Sequence, residues 1–103
     1  MERRKTVIVT GGSRGIGAGI VQFLAEKNKY NIVLNYNKSE EFARKIKEEL
    51  NSKKINIEIF KADVSKREEV KKLIEFTLNK YNNIDLKFAF TLNISNTLFT
   101  LNN

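Results

Sequence analysis

The sequence contains no cysteine and no histidine. Disulfides, zinc centres built from the usual ligands, thiol nucleophiles and imidazole bases are therefore excluded, and no metal site is expected. Proline is absent as well, and no internal repeat or linker-like stretch divides the chain. No apolar run approaches the ~20 residues needed to span a membrane. Only Thr6 to Val9 lie between the charged start and the first glycines, too little for a secretory core. The expectation is a cytoplasmic protein whose 103 residues supply one hydrophobic core.

Acidic residues are the scarcer charge, 12 against 19 Lys and Arg, giving a net charge of +7. A basic domain attracts polyanions by counterion release, so nucleic acid has to be considered as a partner. The cations do not form one surface, however. Arg3, Arg4, Lys5, Lys53, Lys54, Lys71 and Lys72 are spread over several elements and alternate with Glu40, Glu41, Glu48, Glu49, Glu68 and Glu69. Solvated helix faces account for that pattern, and no basic-aromatic motif accompanies it.

Glycine is also scarce, and all five glycines fall between positions 11 and 19. Thr10-Gly11-Gly12-Ser13-Arg14-Gly15-Ile16-Gly17 follows a β-branched run and opens an amphipathic stretch. Gly11 suits a tight turn, Gly15 leaves room for a ligand backbone, and Gly17 allows a helix to approach a strand. The first-turn N–H groups of a helix lack intrahelical partners and sit at the positive end of its dipole, so a pyrophosphate is favoured there. Gly12 and Gly17 have Walker spacing but are followed by Ala18 and Gly19, which excludes a P-loop. The G-x-G-x-x-G fingerprint is not matched either. The pattern is a different glycine loop serving the same end, a dinucleotide site.

The rest of the chain alternates strands and helices. Lys5–Thr10 is a strand apolar on both faces, and a helix from Gly15 to Lys27 carries Ile16, Ile20, Phe23 and Leu24 on one face. Gly19 inside this helix costs about 1 kcal/mol relative to Ala, which suggests close packing on the sheet. Asn28 suits a left-handed stop. Asn31–Tyr36 is a second strand, and Ser39 caps a helix bearing Phe42, Ala43, Ile46 and Leu50. Ile55–Phe60 is a third strand. Ser65 and Glu68 have capping-box spacing before a helix with Val70, Leu73, Ile74, Thr77, Leu78 and Tyr81 inward. A fourth strand starts at Ile84. This order implies an α/β fold, a truncated Rossmann-like parallel sheet of about four strands and three helices.

With these motifs placed, the sequence resembles the short-chain dehydrogenase/reductase family, and within it the 3-oxoacyl-[acyl-carrier-protein] reductase branch. The glycine loop matches the family's T-G-x-x-x-G-x-G motif, and Asp63-Val64 after the third strand matches its adenine-contacting pair. Tyr81-Asn82-Asn83-Ile84-Asp85-Leu86 resembles its approach to the fourth strand. The resemblance implies NADPH-dependent carbonyl reduction of the kind used in fatty acid biosynthesis. It assigns cofactor binding to Gly11, Ser13, Arg14, Gly15, Ile16, Gly17, Tyr36, Asp63 and Val64. An acid ending the second strand would bind a ribose 2′-OH and repel a 2′-phosphate. Tyr36 stands there, between Asn35 and Asn37. Arg14 matches the basic position of NADP-using relatives, and a charge-assisted contact contributes about 1.5–3 kcal/mol. The expected ligand is NADP(H), with Ser13 and Lys38 weaker candidates for the same phosphate and Lys38 better read as an ordinary exposed lysine.

Beyond Leu86 the resemblance lapses. Lys87-Phe88-Ala89-Phe90-Thr91 replaces the family's strand ending in Asn-Asn-Ala-Gly, and residues 88–103 carry no charge. The family's chemistry requires a Ser and a Tyr-x-x-x-Lys pair. Here Tyr30, Tyr36 and Tyr81 are followed four positions later by Leu34, Glu40 and Asp85, so no catalytic residue is assigned. The expected organisation is residues 1–86 as the front half of an NADP-binding domain and 87–103 as a divergent tail, of frameshift rather than designed origin. The expected function is a cofactor-binding part of a reductase, inactive alone, with a non-catalytic NADP(H)-binding module as the alternative. An open sheet edge at the fourth strand is expected to promote self-association or aggregation.

Overall fold

The computed structural model describes residues 4–11 and 15–89, giving the backbone alone for Ile16 and residues 86–89. The elements run β1 (Lys5–Thr10), α1 (Gly15–Lys27), β2 (Tyr30–Tyr36), α2 (Glu40–Ser52), β3 (Ile57–Lys61), α3 (Arg67–Tyr81) and β4 (Leu86–Ala89). All four strands are parallel, in the order β3-β2-β1-β4. The expected truncated Rossmann-like sheet is what forms. Ser13, Arg14 and the tail beyond Ala89 lie outside the described residues.

Strand periodicity divides the core into two layers. Val7, Val9, Ile32, Leu34 and Ile57 turn to one face, where Val21, Leu24 and Ala25 of α1 and Ala43 and Leu50 of α2 cover them. Ile8 and Val33 turn to the other, under Leu73 of α3, with Phe60, Phe76 and Tyr81 packed around them. The Phe60 and Phe76 rings stack with centroids 4.7 Å apart. Burying each such aliphatic side chain contributes about 1.5–3 kcal/mol before conformational entropy is set against it.

Several helix faces differ from the periodicity reading. Phe23, Phe42 and Leu78 are 58%, 51% and 42% exposed rather than inward. In α1 the buried stripe is Gly17, Val21, Leu24 and Ala25. Leu24 and Ile20 of the expected face do pack on the core, small residues beside them let the helix approach the sheet, and Phe23 is left outside, with the Lys27 ammonium 5.0 Å from its ring centroid. Gly19 faces outward, and a Cβ placed on it meets no described atom within 4 Å. Its expected packing role does not hold.

The helix ends also differ in detail. Asn28 takes the expected left-handed conformation, φ 46°, and Asn82 ends α3 in the same way, φ 69°. Ser39 occupies the N-cap of α2 but makes no side-chain capping bond. Ser65 is one residue too early to cap α3, whose N-cap is Lys66. Ile55 belongs to the turn after α2, its N–H donating to the Leu50 carbonyl at 3.0 Å, so β3 starts at Ile57.

Polar groups lock the lower end of the sheet. Asn56 donates to Asn31 Oδ1 (3.0 Å), Asn31 to Thr6 Oγ1 (3.1 Å), and Thr6 Oγ1 to Asn83 Oδ1 (2.9 Å). Asp85 Oδ2 accepts from the Thr6 N–H (2.9 Å) and from Asn83 Nδ2 (2.8 Å), while the Asp85 N–H donates to the Thr6 carbonyl (2.8 Å). This lattice sets β4 against β1. On the β3 edge, Glu58 receives Lys47 of α2 at 3.1 Å and Lys80 of α3 at 3.4 Å.

Candidate functional site

The upper ends of β1, β2 and β3 bring most of the described candidate residues together. β1 ends at Thr10, and Gly11 turns the chain with φ 67°, a conformation that only glycine adopts at no steric cost. The Gly11 N–H donates to the Asn35 carbonyl at 3.0 Å, tying the start of the glycine loop to β2. The Ala62 N–H donates to the Tyr36 carbonyl at 2.9 Å, tying the segment after β3 to β2 from the other side. Gly11, Tyr36 and Asp63-Val64 consequently sit along one rim of the sheet.

Asn35, which sequence reasoning placed only as a neighbour of Tyr36, holds this rim. Its side-chain amide is buried and donates to the Phe60 and Ala62 carbonyls, both at 3.1 Å. A buried amide needs partners, so an asparagine near the end of an otherwise apolar strand is the signal that could have revealed it. Tyr36 is only 8% exposed. Burial raises its phenol pKa above the ordinary value, with the nearby Glu40 carboxylate adding to the shift and Arg44 opposing it.

The loop returns to helix at Gly15, with φ 60° and no described atom within 4 Å of a Cβ built there. Gly17 is buried, consistent with close helix–sheet packing. The first turn of α1 carries no acid, whereas α2 begins with Glu40 and Glu41 and α3 with Glu68 and Glu69. The positive end of the α1 dipole is therefore not neutralised by acids of its own first turn, which favours an anion there. Ile16 lies in the same helical turn.

Asp63 occupies a tight turn. Its Oδ1 accepts from the Ser65 hydroxyl at 2.6 Å and the Ser65 N–H at 3.0 Å. These two bonds hold its carboxyl below the usual pKa, and the charges of Lys66 and Lys38 act in the same direction. Lys38, exposed as expected, thus contributes to the field at this rim. The Asp63 carbonyl accepts from Lys66 N–H at 3.0 Å, and the Asp63 N–H donates to Glu69 Oε1 at 2.7 Å. Val64 is half-buried against the Ile8 and Val33 layer.

The rim lies beside the point where the topology reverses, since β1 has β2 on one side and β4 on the other. Ligands of open α/β sheets bind in that crevice, at the carboxyl ends of the strands. The short chain dehydrogenase family model matches residues 5–88. The chain belongs to the short-chain dehydrogenase family. It is 37% identical over 82 residues to the 3-oxoacyl-[acyl-carrier-protein] reductase FabG of Staphylococcus epidermidis, covering 80% of this chain and 33% of that protein. It is 34% identical over 82 residues to the hydroxynaphthalene reductase-like protein Arp2 of Metarhizium brunneum, covering 80% and 30% of the two chains. Among solved structures, a dehydrogenase/reductase from Sinorhizobium meliloti 1021 superposes with TM-score 0.79 at 29% identity, over 86% of this chain and 35% of that one. A blue fluorescent protein from a metagenomic library, solved in complex with NADPH, superposes with TM-score 0.76 at 30% identity, over 82% and 35%. The short-chain dehydrogenase chain thus spans about a third of the length of these relatives.

Among the described residues, no helix is long and apolar enough to cross a membrane, and no group of three or more Asp or Glu could hold a metal ion.

Proposed function

We propose that this chain is the cofactor-binding front part of an NADPH-dependent short-chain carbonyl reductase, similar to 3-oxoacyl-[acyl-carrier-protein] reductase, and is inactive alone. The observation that carries this reading is the assembly of Gly11, Tyr36 and Asp63 along one rim of parallel strands at the topological reversal. Residues 1–86 form the binding unit in this reading, and 87–103 contribute no recognised motif. Gly15, where no described atom lies within 4 Å of a built Cβ, and the acid-free first turn of α1 fit a pyrophosphate. Tyr36 and Arg14, in place of a carboxylate, fit a ribose 2′-phosphate, and Asp63-Val64 fits the adenine. The nicotinamide, when bound, supplies hydride. This chain's own residues bind and orient the other end of the cofactor.

The test is calorimetric titration with NADPH and NADH, followed by an assay with an acetoacetyl thioester. Saturable binding is expected, with NADPH favoured by about tenfold to hundredfold and no NADPH oxidation by the chain alone. Arg14→Ala is expected to remove most of that preference. Failure to bind either nucleotide, together with salt-dependent binding to DNA or RNA, would overturn the reading in favour of a nucleic-acid partner. Turnover by the purified chain would overturn the inactive-alone part.

A further inference from the structure

The turn carrying Asp63 is held by side chains that the nucleotide-binding reading does not use. The Ala62 N–H donates to the Tyr36 carbonyl of β2, whereas the Asp63 N–H donates to a side chain of α3. Glu69, in the first turn of α3, reaches back over the N-cap to accept it at 2.7 Å. This is a charge-assisted bond, among the stronger kinds available at a surface. Ser65 meanwhile places both of its donors on Asp63 Oδ1, at 2.6 and 3.0 Å. Among the described residues the Ser65 bonds go to Oδ1 and none is made to Oδ2. Main chain and side chain of Asp63 are therefore fixed from two directions. A carboxylate on a turn otherwise samples several rotamers, and freezing it beforehand reduces the entropy lost on binding.

We propose that Glu69 and Ser65 are positioning residues for base recognition: Glu69 fixes the main chain of Asp63 and Ser65 its carboxylate, so that Oδ2 accepts the exocyclic amine of adenine. The inference rests on the nucleotide-binding reading, which already gives Asp63 to the adenine, and adds to it the two side chains that hold Asp63 in place. The chemistry is selective because adenine presents an N–H donor where hypoxanthine presents a carbonyl oxygen, and an oxygen facing a fixed carboxylate is repelled. A purely structural bond between Glu69 and Asp63 would hold α3 in place without affecting the choice of base.

The two roles separate in a titration of the full chain with NADPH, NADH and the reduced hypoxanthine analogue of NADP. The wild-type chain is expected to prefer adenine over hypoxanthine by about tenfold to hundredfold, the range of one charge-assisted hydrogen bond. Glu69→Ala is expected to reduce that ratio to about threefold or less while leaving the NADPH-to-NADH ratio, set at Tyr36 and Arg14, unchanged. Glu69→Gln, which keeps an acceptor oxygen, should restore most of the base preference. Ser65→Ala, at an exposed turn position, provides a second variant that does not touch α3 and should lower the same ratio. A wild-type chain that binds NADPH without base preference overturns the inference alone. So does a Glu69→Ala chain that keeps the wild-type base ratio, or one in which both ratios change together. A wild-type chain that binds no nucleotide overturns the underlying reading, and the inference with it.

Discussion

Replacing Gly19 by alanine adds one methyl group to the exposed side of α1, where no described atom lies within 4 Å. No contact is gained or strained, so the effect comes from the backbone. Glycine in a helix interior is less favourable than alanine by about 1 kcal/mol, mostly through the freedom it retains in the unfolded chain. For a domain of this size, 1 kcal/mol corresponds to roughly 4–8 °C in Tm. Gly15 gives the opposite sign from the same surroundings. A Cβ there also meets no described atom, but φ is 60°, and a left-handed alanine costs roughly 1–2 kcal/mol. Gly19→Ala should therefore raise the melting midpoint followed by circular dichroism at 222 nm, and Gly15→Ala should lower it. The midpoints should lie about 8 °C or more apart. A fall with Gly19→Ala would show that this side of α1 is packed after all, and a rise with Gly15→Ala would refute the backbone argument.

Burial pushes the Tyr81 phenol up to about 12, with the Glu58 charge adding to the shift and Arg4 opposing it. A raised folded-state pKa favours the protonated fold, so its contribution is complete below pH 10 and is lost as the pH rises through about 12. Urea midpoints measured from pH 9 to 12 should fall less steeply for Tyr81→Phe than for the wild-type chain; equal slopes would be inconsistent with this. Asp85→Ala leaves the buried Thr6 N–H without its side-chain partner and should cost about 1–3 kcal/mol by urea denaturation, whereas a loss under about 0.5 kcal/mol would mean water replaces the carboxylate. Within the described residues β4 pairs with β1 only. Sedimentation velocity should show association that increases with protein concentration, and a strictly monomeric chain would remove the open edge as a cause.

The features legible in the sequence are those fixed by backbone chemistry. Gly11 does turn the chain at positive φ, Asn28 does end α1, and the β-branched runs do form parallel strands. Helix faces were less legible, because α1 carries two competing stripes. Counting large apolar residues favours Ile20 and Phe23, and Ile20 does pack on the core, but Phe23 gives way to Gly17, Val21 and Ala25, which allow closer approach. Phe76 was missed for a related reason, as its partner is the Phe60 ring across the sheet edge. At the rim, the glycines and Asp63 are visible as motifs. Asn35 and Glu69 are not, because their value lies in carbonyls and an N–H brought close only by folding. Capping spacing at Ser65 was a true local signal attached to the wrong partner, since its hydroxyl serves Asp63 instead of the helix.

The strand order has a consequence for how the chain assembles during synthesis. β1 is made first but ends up between its neighbours, and they arrive at very different times. The rim is closed by bonds such as Gly11 to Asn35 and Tyr36 to Ala62, while β4 is anchored by Thr6 and Asp85, 79 residues apart. Closing the longer loop costs about 1 kcal/mol more than closing one of about 25 residues. On a ribosome, β1, β2 and β3 with the helices between them are available to pair while the last strand is still inside the exit tunnel. The nascent chain therefore brings Gly11, Tyr36 and Ala62 together along the rim before its sheet is finished.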